Sequence, residues 1–343
     1  MIAALYQSSG DADVLRVLEI ATPSPGPGQV RVKLAVSGVN PTDWKTRRTA
    51  GPPRGQPSVP NHDGAGTIDA VGAGVSESRV GERVWLLLAA YNNRWGTAAE
   101  YSVVPADRAV RLPHSASFEL GASLGIPALT AWLCLRVGGH PAGRAVLVAG
   151  GAGAVGRAAI ELARYLDAET VIATVSGPAK ARIAYDAGAQ TVVNYREADA
   201  ARQIIDVAPM GVDRFVEVAL DQNLELDLKV AAPHAVISAY AGNDSTRAIL
   251  PVRELMAANI ALRFLLVYKV KPSDLIAAIN GVSEALRAGA LTTPPLHRYP
   301  LVRIAAAHDA VEHGAVGKVL IDFQSAPGAA GNEPPSTESA LGS

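Results

Sequence analysis

Residues 145–166 read AVLVAGGAGAVGRAAIELARYL. An apolar run rich in valine and alanine enters a cluster of glycines, and an alanine-rich segment follows. That segment has apolar residues at 155, 159, 162, 163 and 166, the spacing of one helix face. The stretch therefore predicts a buried strand, a tight turn and a helix. Its glycines at 151, 153 and 156 form G-x-G-x-x-G at the point where strand gives way to helix. In that position each glycine has its own task. One makes the turn, one lets backbone approach a pyrophosphate, and one lets helix and strand pack closely. The helix start adds free N–H groups and partial positive charge. A ligand-free βα turn is the plainer alternative.

Downstream the pattern repeats. TVIATVS (170–176), a helix at 179–186, TVV (191–193), DRFVEVA (213–219) and AVISAY (235–240) alternate strand and helix. Such alternation indicates an α/β, doubly wound parallel sheet. The second strand ends in ATVSGPAK, where a site for NAD usually places an acid to accept from the adenosine ribose. This chain has Ser176 there and Lys180 four residues later. A small hydroxyl leaves room for a 2′-phosphate and an ammonium pairs with it, so the pattern favours NADPH. Tyr195 is placed to add a hydroxyl or to stack on adenine. Otherwise Lys180 is an ordinary solvated lysine at a helix start.

Upstream the texture is different. VRVKLAV (30–36), AGTIDAVG (65–72), ERVWLLL (82–88) and AEYSVV (99–104) read as strands between Pro/Gly loops, a mainly-β domain. After about 265 an amphipathic helix leads into PLHRYP and GKVLIDF, which are expected to return to that domain. The last 18 residues, 326–343, are polar and rich in Pro, Gly and Ser and read as a flexible tail. The 343 residues suit two domains, and 49% apolar with 18% charged residues suits a soluble globular protein. A net charge of −1 without a basic block gives no reason to expect nucleic acid as partner. No apolar run is long enough to span a membrane, the N-terminus lacks signal-peptide character, and the single cysteine, Cys134, suits a reducing compartment. The expectation is a cytoplasmic protein.

Several stretches together carry a resemblance: GVNPTDW (38–44), NHDGAGTIDAVGAGV (61–75), GASLGIPALTAWLCL (121–135), GGAGAVG (150–156), NYRE (194–197) and HGAVGKVLIDF (313–323). From about residue 2 to 323 the chain resembles the medium-chain dehydrogenases/reductases, and among them the zinc-free quinone oxidoreductases of the zeta-crystallin type. The resemblance implies a GroES-like mainly-β catalytic domain (1–120 plus 268–325) and a Rossmann NADP-binding domain (121–267). It also places His62 where zinc enzymes of the superfamily carry a histidine ligand. Asn40 then occupies the first cysteine position and the third ligand falls near Ile126. Catalytic zinc needs three protein ligands, so no metal is expected, and His62 is expected to hydrogen-bond its neighbours. Without a Lewis acid the favoured acceptors are quinones or conjugated enones.

By the same resemblance the pyrophosphate lies over Ala152, Gly153, Ala154 and Val155. Ser176, Lys180 and Tyr195 surround the adenosine, while Asn223, Tyr240, Ala241, Gly242 and Asn243 line the ribose and nicotinamide side. Asn40 stands beside the nicotinamide ribose and Lys318 closes the site. Two departures stand out: Ala154 replaces a second glycine of the turn, and Lys45 replaces a pocket tyrosine. Lys45 either donates to a carbonyl oxygen or points to solvent with Arg47 and Arg48. Tyr91 and Trp95, in the loop 89–101, either form a pocket wall or cover the domain. The implied activity is NADPH-dependent quinone reduction; an enoyl or enone reductase and a non-catalytic, crystallin-like NADPH-binding protein are the alternatives. An uncovered strand near 260–267 suggests a homodimer.

Overall fold

The computed structural model describes residues 1–52, 55–242 and 245–323. Asn243 and the tail 326–343 lie outside the described residues. The strand, turn and helix read from 145–166 form as β8 (Ala145–Ala149) and α4 (Ala154–Tyr165). Gly156 is required by packing: a Cβ there would sit 2.2 Å from the carbonyl oxygen of Gly150. Gly150 itself has φ +69°, a conformation that suits glycine. Helix α4 buries Ala159, Ile160, Leu162 and Ala163 against the sheet.

Around β8 the chain adds β9 (Thr170–Val175), α5 (Pro178–Asp186), β10 (Thr191–Asn194), α6 (Ala200–Val207), β11 (Val212–Glu217), α7 (Leu220–Val230), β12 (Ala231–Ala239), α8 (Val252–Ala257) and β13 (Ala261–Phe264). Six strands pair in parallel in the order β10-β9-β8-β11-β12-β13. The order reverses beside β8, and in such sheets the crevice at the strand C-termini near that reversal takes the ligand.

The first domain opens with the two-stranded β1 (Ile2–Leu5) and β2 (Arg16–Glu19). It continues with β3 (Gln29–Val39), α1 (Pro41–Thr49), β4 (Asp63–Val71), β5 (Arg83–Leu86), β6 (Tyr101–Pro105) and β7 (Ala109–Arg111). Helices α2 (Phe118–Gly121) and α3 (Gly125–Arg136) lead into the parallel sheet. Beyond it come α9 (Pro272–Arg287), β14 (Leu296–Pro300), α10 (Ile304–Glu312) and β15 (Lys318–Asp322). β15 pairs antiparallel with β3, so the seven-stranded sheet of the first domain is completed by the end of the chain.

One boundary differs from the sequence expectation. Helix α9 does not return to the first domain: Ala278, Val282, Ala285 and Leu286 are buried in the core that also holds α3 and α4. Gly281 lets α9 press onto Trp132, since a Cβ there would lie 2.0 Å from the indole ring. An amphipathic helix carries no label for the sheet it covers, which is why 268 was too early. The chain rejoins the first domain at β14. Among the described residues no helix is long and apolar enough to cross a membrane.

Candidate active site

A cleft of about 930 Å³ separates the two domains. Gly150, Ala152, Gly153, Ala154 and Val155 form its floor, at the N-terminus of α4. Backbone N–H groups at a helix start and small side chains in front of them suit a pyrophosphate. Gly153 also bridges to Gly317 of the first domain, which brings Gly314, Ala315 and Val316 onto the opposite wall.

Beyond the floor, Ser176, Lys180 and Tyr195 come together as one group lining the cleft. Ser176 follows the last residue of β9, and Lys180 Nζ donates to Ser176 Oγ at 3.1 Å. No Asp or Glu is among the described residues that line the cleft. Its charged side chains are Lys180 at this end and Lys45 at the other, a balance that favours an anionic ligand.

On the other side Asn223, Tyr240, Ala241 and Gly242 all line the cleft. Asn223 sits in α7, and its amide donates to Glu217 Oε1 at 2.9 Å. The Glu217 carboxylate also accepts from the N–H of Ala219, so one buried acid holds the lining stretch 219–223. Burial raises the Glu217 pKa, while the hydrogen bonds from Ala219 and Asn223 oppose that rise. Its role was invisible in sequence because DRFVEVA reads as an ordinary strand.

Lys45 lines the cleft, and its Nζ donates to the backbone oxygen of Gly242 at 3.0 Å. Three expectations are corrected. Trp95 is no pocket wall. It packs with the core of Leu5, Val59 and Leu301, with Arg94 over its ring at 4.5 Å. Tyr91 does not line the cleft either; it stacks behind Tyr268, ring centroids 5.3 Å apart. Lys318 does not close the site. It is 1% exposed and donates to Asn40 Oδ1 at 2.7 Å and to Asp63 Oδ2 at 3.1 Å.

Asn40 lines the cleft, but both ends of its amide are engaged from behind. Oδ1 accepts from Lys318, and Nδ2 donates to Asp63 Oδ2 at 2.7 Å. Asp63 Oδ1 in turn accepts from the N–H of Ile126 at 2.9 Å. Asp43 accepts from the N–H groups of Asn40 and His62, at 2.7 and 3.1 Å. Burial, with Asp63 nearby, pushes the Asp43 pKa up to about 8, whereas burial pushes His62 down to about 4. His62 is thus a neutral imidazole at neutral pH. Its backbone hydrogen-bonds to Asp43 and Ala89, but among the described residues ring Nδ1 has no partner and Nε2 stays 3.9 Å from Asp43 Oδ1. Its ring stacks on Tyr268 instead, at 6.3 Å.

Among the lining residues missed by sequence reading, two carry facing hydroxyls. Thr42 and Tyr268 face each other, Oγ1 to hydroxyl oxygen 3.4 Å. Tyr268 lies in LLVYKVKP, where an apolar run hides a single hydroxyl.

The chain is 30% identical over 318 residues to a quinone oxidoreductase from Pongo abelii, covering 91% of this chain and 94% of that one. It belongs to the quinone oxidoreductase family of medium-chain dehydrogenases/reductases. Like other medium-chain dehydrogenases/reductases it is an oxidoreductase that takes a nicotinamide cofactor. Two family models match, the alcohol dehydrogenase GroES-like domain over 26–114 and the zinc-binding dehydrogenase model over 154–284. The second covers the cofactor domain only and contains neither Asn40 nor His62. Among solved structures, an NAD-dependent alcohol dehydrogenase matches with TM-score 0.82 and 27% identity, covering 94% of this chain and 100% of that one. A mycobacterial protein solved with NADPH matches with TM-score 0.80 and 27% identity, at the same coverages.

The quinone oxidoreductase relationship raises the metal question directly, and the donor set answers it. Of the three ligand positions, Ile126 offers no side-chain donor and Asn40 is a neutral amide tied to Asp63 and Lys318. Only His62 is a usual zinc ligand. Among the described residues no three His, Cys, Asp or Glu side chains form a metal-binding group. The Lys318 ammonium, hydrogen-bonded to both Asn40 and Asp63, brings a fixed positive charge to this corner. These residues do not fit zinc.

Proposed function

We propose that the protein is an NADPH-dependent quinone reductase whose chemistry needs no metal. The observation that carries the cofactor assignment is the pair Ser176 and Lys180, 3.1 Å apart at the end of β9, in a cleft wall without a carboxylate among the described residues. A 2′-phosphate there meets an ammonium, a hydroxyl and the Tyr195 ring edge, whereas an acid would repel it. When bound, the nicotinamide supplies the hydride. The chain supplies orientation and dryness: Ala152 to Val155 hold the phosphates, and Ile126, Pro127, Leu265, Val267 and Tyr240 present apolar surface to a flat acceptor. With a donor set that suits no zinc, the acceptor must be electron-poor already, as a quinone is.

Equilibrium titration of NADPH and NADH by fluorescence tests this reading. One charge-assisted hydrogen bond is worth about 1.5–3 kcal/mol, or roughly 10- to 150-fold in affinity. NADPH is expected to bind better by that factor. Lys180→Ala should weaken NADPH and leave NADH nearly unchanged, and added salt should narrow the gap in the parent. Equal weakening of both cofactors would remove Ser176 and Lys180 from the 2′-phosphate site.

A homodimer fits the same reading. Strand β13 is an open edge of the parallel sheet, and Phe264, Val252, Met256 and Ile249 beside it are 73%, 60%, 67% and 94% exposed. An edge left this apolar is a pairing hazard unless a second copy covers it. Light scattering after gel filtration is expected to give twice the mass of the 35.5 kDa chain, and a monomer at all concentrations contradicts it.

A further inference from the structure

Two hydroxyls that line the cleft come from distant parts of the chain. Thr42 stands in the first turn of α1, two residues from Asn40, while Tyr268 comes from the link between β13 and α9. Their oxygens are 3.4 Å apart and both residues line the cleft. At that separation the direct hydrogen bond is weak, but a single third oxygen can lie at normal distance, about 2.7–2.8 Å, from both. The two donors come from different domains, so the pair is assembled where the domains meet.

Three neighbouring polar side chains are committed elsewhere. The Asn40 amide is bound to Asp63 and Lys318, Lys45 Nζ to Gly242, and the Thr49 hydroxyl to the backbone oxygen of Lys45. Tyr268, by contrast, is held by its ring, and among the described residues its hydroxyl meets only Thr42. Tyr91 stacks on that ring at 5.3 Å and 27°, and His62 at 6.3 Å and 18°. Behind Tyr91, the cations of Lys269 and Arg108 each lie 5.9 Å from its ring. A ring packed in this way fixes its hydroxyl in advance, the property that makes a hydrogen-bond donor effective where charge develops.

We propose that Tyr268 and Thr42 together bind the acceptor's carbonyl oxygen and stabilise the negative charge it gains, with Tyr268 passing it a proton. The proposal rests on the reading of the cleft as an NADPH–acceptor site and names the groups that replace a Lewis acid there. The acceptor gains a hydride, two electrons and one hydrogen, from the nicotinamide. Its oxygen becomes anionic, takes the proton of the Tyr268 hydroxyl, and water at the cleft mouth reprotonates the phenolate. A strongly oxidising quinone needs little of this help, whereas a conjugated enone needs more.

The test compares the parent with Tyr268→Phe, Thr42→Val and Thr42→Ser in steady-state turnover of a benzoquinone and of an α,β-unsaturated ketone. The dissociation constant of NADPH is measured in each protein by fluorescence. Tyr268→Phe is expected to lower kcat with the enone about 100-fold. The loss with the quinone should be smaller, and NADPH affinity should stay within about twofold of the parent. Thr42→Val should lower kcat with the enone in the same direction, and Thr42→Ser should restore it. Rates within twofold of the parent for both Tyr268→Phe and Thr42→Val overturn the assignment. So does a loss of NADPH affinity that matches the loss of rate, because Tyr268 would then be packing the cofactor. A parent that reduces neither acceptor refutes the functional reading itself, and that result is seen before any variant is made.

Discussion

Replacing Lys318 by methionine removes an ammonium from behind the cleft and keeps most of its aliphatic volume. Lys318 and Asp63 are 1% and 0% exposed in their side chains and stand 3.1 Å apart. At an effective dielectric of about 20, unit charges at that distance attract by about 5 kcal/mol, an attraction set against the desolvation of both ions. Losing one partner of such a pair typically costs about 3–5 kcal/mol, because the other charge is left buried. Asp63 would keep its bonds from Ile126 N–H and Asn40 Nδ2, at 2.9 and 2.7 Å, so the lower end applies. For a chain of 343 residues a loss of about 3 kcal/mol corresponds to a fall in Tm of roughly 4 °C. Thermal and urea unfolding of Lys318→Met, Asp63→Asn and the double variant would measure it. The double variant should recover most of the loss, since neither ion is then stranded. A cost under about 1 kcal/mol for Lys318→Met, or a double variant no better than the single, would refute the buried-pair account.

Other perturbations have equally definite outcomes. His308 is buried, its Nδ1 has no partner among the described residues, and burial, with Arg47 nearby, pushes its pKa down to about 3. The unfolded chain therefore takes up that proton first, below about pH 6.5, and stability falls between about 6.5 and 3 by about 1.4 kcal/mol per pH unit. His308→Gln should flatten the acid limb by that slope, and superimposable pH profiles of the two proteins would contradict it. Gly156→Ala forces a Cβ to 2.2 Å from the Gly150 oxygen and should lower Tm, whereas a Cβ at Gly153 finds nothing closer than 3.4 Å. Gly153→Ala should keep its Tm and lose NADPH affinity, and the reverse order of effects would dislodge the phosphate floor from these residues. Elemental analysis should find no stoichiometric zinc, with activity unchanged by chelators; one tightly held zinc per chain would overturn the reading of Asn40 and His62.

The parallel sheet and its glycine turn were legible because G-x-G-x-x-G between β8 and α4 is a local pattern with a local physical cause. The pairing of Ser176 with Lys180 was legible for the same reason, the two being four residues apart. Contacts between residues far apart in sequence were not. Lys318 looked like a lid because its partners, Asn40 and Asp63, are over 200 residues away in sequence. Trp95 and Tyr91 share a loop, yet one enters the first domain's core and the other supports Tyr268; aromatic character alone does not distinguish these fates. Helix α1 was hidden because PTDWKTRRT has little apolar periodicity. Its start is set instead by Pro41 and by the Asp43 carboxylate accepting from Asn40 N–H.

The most direct test of the central claim is turnover itself. NADPH absorbance is followed in purified, chelator-treated protein with a simple quinone, and the same assay is run with NADH, with an aldehyde, and with an alcohol plus NADP⁺. The account predicts rapid oxidation of NADPH by the quinone and little reaction with aldehyde or alcohol. At subsaturating cofactor, NADH should be slower by roughly 10- to 150-fold, in line with one charge-assisted bond to the 2′-phosphate. Efficient alcohol oxidation without quinone turnover, or equal rates with NADH and NADPH, would contradict it.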